Sequence, residues 1–120
     1  MIPEMALVCL TMNVYFEARS EPVAGQVAVA LVTLNRAQRD PSRVCAEAFR
    51  PYQFSWTLSP KRITEPKAWQ RAKEVARAVW TMQDFTEGAT HFHADYVSPA
   101  WADAKVRVGQ WGRHIFYRRK

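Results

Sequence analysis

Several things are missing from this sequence, and each absence removes a class of function. No unbroken apolar run, that of residues 27–32 included, exceeds six residues. A helix needs roughly 20 such residues to cross a bilayer, so no stable membrane insertion is expected. There is no Gly-x-Ser-x-Gly elbow, no Walker loop and no dinucleotide fingerprint, which takes away serine-nucleophile and phosphate-cradling chemistry. Neither His-Glu-x-x-His nor a Cys/His ligand spacing occurs, and two cysteines alone make no metal set. No metal or other cofactor is therefore expected. Cys9 and Cys45 could pair, but a domain of this size folds without a staple, and both are read as buried thiols. The start, Met1-Ile2-Pro3-Glu4, lacks a cationic stretch leading into an apolar one, so no Sec-type signal peptide is expected.

What is present fits one domain spanning residues 1–120. A chain of 13.9 kDa with 48% apolar and 23% charged residues can bury a core, and it has no room for a second one. Seventeen Lys+Arg against eleven Asp+Glu give a net charge of +6, which favours anionic polymers as partners. Nucleic acid, lipid head groups and bacterial wall material all qualify on charge. Only Arg118-Arg119-Lys120 clusters tightly, however, and the other cations are mixed with acids and apolar residues. That dispersal argues against a nucleic-acid footprint.

The apolar spacing of Met5, Val8, Cys9, Met12 and Phe16 predicts an amphipathic helix ending near Glu17 to Arg19. Ser20-Glu21-Pro22 and Thr64-Glu65-Pro66 read as helix starts, with a hydroxyl to cap, an acid at the positive end and a proline whose missing N–H costs nothing. The helix after Pro22 turns Val23, Val27, Leu31 and Leu34 inward. The one after Pro66 runs to about Met82 with Trp69, Ala72, Ala76, Val79 and Trp80 inward. A short helical piece covers residues 42–49, followed by an aromatic loop, Tyr52-Gln53-Phe54-Ser55-Trp56. Residues 89–93 and 113–118 read as extended, with a turn expected at Gly109-Gln110-Trp111-Gly112. The fold class is α+β, predominantly helical, with a small β-hairpin or irregular C-terminal part.

Tyr15-Phe16-Glu17-Ala18-Arg19-Ser20-Glu21 sets two carboxylates at the junction of two helices. The negative end of a helix dipole and apolar neighbours favour the protonated form of Glu17, whereas Glu21 faces the positive end of the next helix and stays ionised. Such a pair resembles the acid and the anion of glycoside cleavage, although a helix-end Glu is more often a solvated charge. His91 and His93 share one face of a strand, and with His114 they could form a zinc site using Glu17 as base. Loop aromatics such as Trp56, Trp101 and Trp111 suit stacking on sugars or plugging the core equally well.

In order along the chain, Val14-Tyr15-Phe16-Glu17-Ala18-Arg19-Ser20-Glu21-Pro22, Gly25-Gln26-Val27-Ala28-Val29-Ala30, Asn35-Arg36, Gln53-Phe54-Ser55, Gly88-Ala89-Thr90-His91-Phe92, Pro99 with Trp101, and Gly112-Arg113-His114-Ile115-Phe116-Tyr117 resemble the SleB/CwlJ-type cell-wall hydrolases. The resemblance implies a compact lysozyme-like, transglycosylase-like fold that acts on the glycan strands of peptidoglycan. It puts the catalytic glutamate on Glu17. Glu21, Tyr52, Gln53, Phe54, His91, Trp101 and His114 become the residues expected to contact substrate. Phe16 stands where the family commonly has a small residue, and Ser20 where it has glycine.

The implied activity is that of a lytic transglycosylase cutting between N-acetylmuramic acid and N-acetylglucosamine. A hydrolytic muramidase with the same acid, a zinc-dependent amidase or peptidase, and a basic polyanion-binding module are the alternatives. By analogy a leaderless basic domain of this kind is similar to a phage endolysin, acting as a monomer, held in the host cytoplasm before lysis and working at the wall.

Overall fold

In a computed structural model, which describes residues 2–50 and 62–120, the chain folds into a helical lobe followed by a small sheet. Among the described residues four α-helices, α1 (Glu4–Ala18), α2 (Val23–Arg36), α3 (Pro41–Ala48) and α4 (Pro66–Ala78), precede three strands, β1 (His91–Ala94), β2 (Val106–Trp111) and β3 (His114–Arg118). Short 3-10 turns at Val79–Thr81 and Ala100–Ala104 extend α4 and link β1 to β2. The sheet is antiparallel in the order β1-β3-β2.

Helix α2 is the axis of the molecule. Every residue from Gly25 to Leu34 is buried, because two cores share this helix. Val27, Ala30, Leu31 and Leu34 pack with α1, α3 and α4, while Ala28, Val29 and Val32 pack under the sheet with Phe116, Phe92 and Trp111. An all-round apolar sequence without charge over this stretch is what burial on both sides requires.

Helix α1 is likewise packed against α2, α3 and α4. Its inward residues are Ala6, Cys9, Leu10, Asn13, Val14 and Ala18, with Tyr15 also buried. Met5 and Val8, expected inside from their spacing, are exposed. A helix that is apolar nearly all round offers several stripes, and the neighbours choose among them. The expected hydroxyl caps are not made either. Pro22 and Glu65 occupy the cap positions of α2 and α4 without a side-chain cap, and the capping side chain that does appear is Asp40, accepting from the Ser42 amide of α3 at 2.9 Å.

Two further expectations are corrected. Cys9 and Cys45 are joined in a disulfide rather than left as thiols. They lie 36 residues apart in sequence and meet because α3 packs on α1. Strand β2 runs through Gly109 to Trp111, so the hairpin turn is confined to Gly112 and Arg113. A bulge between Arg107 and Gly109 and the lack of a clean alternation hid this strand. A Cβ on Gly109 would collide with the Trp111 ring, so glycine here lets the indole lie flat along its own strand.

Candidate functional site

The residues of the Tyr15-to-Glu21 segment fan out from the α1–α2 junction, each fastening a different part of the chain. Tyr15, fully buried, accepts hydrogen bonds at its hydroxyl from the backbone N–H groups of Thr64 and Glu65, at 3.0 and 3.1 Å. Burial alone would push the phenol up, but these amides and the nearby Arg19 charge hold it below its ordinary value. The ring meets Phe16 and Trp69 edge-on, with the Arg19 guanidinium 5.1 Å from its centre. Arg19 also pairs with Glu65 at 2.5 Å. The start of α4 is thus bound to the end of α1. A surface cavity of about 570 Å³ opens beside this contact, lined by Arg19, Glu65, Lys67 and Arg71.

Glu17 stands in the last turn of α1, half-buried, with its Oε1 shut off from solvent. Four residues on, Glu21 is 7% exposed and reaches across to the hairpin turn. It accepts the Arg113 backbone N–H on Oε1 at 2.6 Å, while the Arg113 guanidinium donates to Oε2 from Nε at 3.1 Å and Nη2 at 3.0 Å. Burial would raise this carboxyl, yet the Arg113 amide and guanidinium, helped by His114, hold it below the usual carboxylate range. Gly112, at φ +63°, passes so close that a Cβ would run into Glu21 Oε1. Both oxygens of Glu21, a residue expected to contact substrate, are engaged by the β2–β3 turn.

The sign of that shift makes a pH prediction. A carboxyl whose folded pKa is depressed adds stability above its unfolded pKa and loses it as pH falls through the folded value. Glu21→Gln is therefore expected to cost about 1–2 kcal/mol at neutral pH, a figure reduced for the solvent exposure of Arg113. Urea melts of both proteins should show this gap closing as the pH drops below the ordinary glutamate range. A gap constant with pH would mean that the charge contributes nothing.

The other end of α2 is tied down in the same manner. Asn35 Nδ2 donates to Asp84 Oδ2 and to the Ala89 carbonyl, both at 2.9 Å, and Arg36 Nη1 donates to the Thr90 carbonyl at 2.8 Å. Arg36 Nε pairs with buried Glu47 at 3.2 Å, and Arg50 closes on the same carboxylate. The Asn35-Arg36 and Gly88-to-Phe92 blocks thus meet, and they set the height at which β1 enters the sheet.

Strand register divides the histidines. His91 and His93 pair with Tyr117 and Ile115 on the face turned away from α2, where Trp101 lies 5.3 Å from His91, 5.7 Å from His93 and 5.3 Å from Tyr117. His114 sits opposite Ala94 and Trp111 on the other face, 5.1 Å from Phe92. His93 is occupied at both ring nitrogens, by the Ala94 carbonyl and the Tyr117 hydroxyl, and His91 Nδ1 by the Thr90 hydroxyl. The zinc arrangement drawn from these three rings does not form, and among the described residues no three His, Cys, Asp or Glu side chains gather as a metal set. Burial, with the charges of Lys105, Arg36 and Arg119, pushes His91 down to about 4, so this ring is neutral around pH 7. Burial also lowers His114, with Glu21 opposing.

His91 and Trp101 are thus brought together, His114 joins the Glu21–Arg113 contact, and Tyr52, Gln53, Phe54 and Trp56 lie outside the described residues. Trp111 is a core residue, stacked edge-on against Phe85 and Phe116. Sequence reasoning missed Arg113 as the partner of Glu21, and it missed a buried polar row between α1 and α2. In that row Thr33 donates to Asn13 Oδ1 at 2.8 Å, and Gln26 Nε2 donates to the Glu21 carbonyl at 3.1 Å. Polar residues inside otherwise apolar helices were the available signal.

A helical lobe closed by a three-stranded antiparallel sheet is a fold this chain shares with solved catalytic domains. The catalytic domain of the germination-specific lytic transglycosylase SleB from Bacillus anthracis superposes with a TM-score of 0.77 at 26% identity, covering 97% of this chain and 96% of that one. The catalytic domain of the Bacillus cereus SleB protein gives 0.74 at 28% identity, covering 98% and 95%. The chain belongs to the Cell Wall Hydrolase family, which it matches over residues 20–117; the matched stretch takes in Glu21 but starts after Glu17. Spore cortex-lytic enzymes of Halalkalibacterium halodurans and Bacillus subtilis are 34% and 31% identical over 86% and 89% of this chain. The chain spans about a third of the length of these curated relatives, 32% and 35%.

Proposed function

We propose that this chain is the catalytic unit of a peptidoglycan lytic transglycosylase and that Glu17 is its acid and base. The relatives that share its fold over nearly the whole chain include a lytic transglycosylase domain, and the glutamate-bearing helix end is held from three sides by Tyr15, Arg19 and Glu21. The observation that favours a single-carboxylate mechanism is the engagement of Glu21 by Arg113 through both oxygens. That carboxylate is committed to the fold and is not poised to activate water.

Protonated Glu17 donates to the glycosidic oxygen between N-acetylmuramic acid and N-acetylglucosamine, the C1–O bond breaks, and positive charge spreads over C1 and the ring oxygen. The Glu17 carboxylate then takes the proton of the muramic C6 hydroxyl as that oxygen bonds to C1. No water is consumed, and Glu17 ends protonated as it began. The cations Arg19, Lys67 and Arg71 around the neighbouring cavity suit the carboxylates that muramic acid and its peptide carry. His114, His91 and Trp101, with Tyr52, Gln53 and Phe54, remain the residues we assign to sugar contacts.

The partner is a glycan strand met by a monomer, and the place of action is the wall. The Cys9–Cys45 bond fits oxidising surroundings outside the cytoplasmic membrane, and an endolysin held in the host cytoplasm would close it on release. Mass spectrometry of digested sacculi is the test. Ends lighter by one water than a hydrolysed product, the 1,6-anhydro form, are expected. Reducing ends alone would establish hydrolysis, and new free amines would establish amidase or peptidase action.

A further inference from the structure

We infer that Asn13 is the positioning residue of the catalytic acid: its side-chain NH2 supports the Glu17 carboxylate after the proton has left. The inference rests on the proposed role of Glu17. Asn13 is completely buried, and its Oδ1 is taken by the Thr33 hydroxyl at 2.8 Å. Its Nδ2 has no acceptor among the described residues. A buried amide donor left without a partner is costly, and native structures keep such groups where they serve a function or meet an ordered water.

Glu17 lies four residues along the same helix, so the two Cβ atoms are about 5–6 Å apart on one face. Helical side chains lean toward the N-terminus and cover the turn before their own Cα. This direction turns Glu17 back toward Asn13, with no hydrogen bond between Asn13 Nδ2 and the Glu17 Oε1 that is closed to solvent.

The chemistry gives this donor a purpose. One carboxyl must lose a proton to the leaving oxygen and regain one from the C6 hydroxyl, so the site has to tolerate both charge states in a screened position. An N–H donor beneath the carboxyl, reaching it through one water, favours the ionised state formed midway and fixes the direction in which the other oxygen points.

The experiment compares Asn13→Asp, Thr33→Val and Glu17→Gln in the full chain, with kcat and KM measured on purified sacculi well below each melting point. Asn13→Asp keeps the acceptor for Thr33 and removes the donor; Thr33→Val removes the same buried hydrogen bond and keeps the donor. Asn13→Asp is expected to lower kcat about 10–100-fold with KM nearly unchanged, and Thr33→Val to stay within about threefold of wild type in both. If Asn13→Asp does not fold, Asn13→Ser is measured at low temperature against the same expectation. An Asn13 variant with normal kcat, or a Thr33→Val loss as large as that of Asn13, overturns the inference by making the pair purely structural. If Glu17→Gln is inactive while Asn13 variants are normal, only this inference falls; an active Glu17→Gln enzyme removes the reading beneath it.

Discussion

Glu17→Gln should leave a folded protein that binds sacculi and barely cleaves them, with kcat reduced on the order of 10³–10⁴-fold, the range for losing a general acid that also serves as base. The amide has the carboxyl's shape and can still accept from a donor below it, so packing at the end of α1 is preserved. It has no proton to give to the leaving oxygen and no charge with which to claim one from the C6 hydroxyl. Clearing of a sacculus suspension, followed beside binding to pelleted sacculi, separates three readings. A polyanion-binding module would show unchanged binding and no clearing by either protein. A zinc enzyme would lose activity to chelator, which a carboxyl mechanism does not. The proposed enzyme loses clearing in the variant alone. Full clearing by Glu17→Gln would send the search for the acid elsewhere, Asp95 included, since Asp95 lies at the mouth of the same hairpin with its amide bonded to the Arg113 carbonyl at 2.8 Å.

How far the sequence reached depended on whether a residue's partner lay nearby in the chain. The end of α1 and the starts at Val23 and Pro66 came out within a residue or two, because proline and the apolar period are local signals. The inward face of α1 was misread, since Met5 and Val8 are as apolar as Ala6 and Leu10 and only the arrival of α3 and α4 decides between them. Glu21 was legible as an ionised group at a helix start. Its bond to Arg113 spans 92 residues, and no pattern within either segment announces it. The ordered blocks shared with the wall hydrolases gained a physical meaning once folded. Asn35 and Arg36 meet Ala89 and Thr90, and the Gly112–Arg113 turn meets Glu21. The blocks are pieces of two clamps that set the sheet against the helix junction.

The clamp that sequence reasoning missed, the disulfide, carries the second large effect. Cys9 lies two turns before Glu17 on α1, a rise of about 12 Å, and its bond to Cys45 closes a 36-residue loop that contains the whole of α2. Closing a loop of that length removes freedom from the unfolded chain equivalent to about 3–4 kcal/mol. For a domain whose total stability is about 5–15 kcal/mol, that is a large fraction. Reduction, or replacing both cysteines with alanine, is therefore expected to lower Tm by roughly 10–20 °C, read by circular dichroism with and without reductant. The alanine protein should melt identically in both conditions. Between the two midpoints the oxidised enzyme should clear sacculi while the reduced one, its first helix no longer fastened to α3, should not. If reduced and oxidised protein melt together, packing of α1 on α3 already suffices and the bond has no part in the enzyme's stability. If they separate as expected, the disulfide is what fastens the helix that bears Glu17 to α3, and reduction loosens that hold.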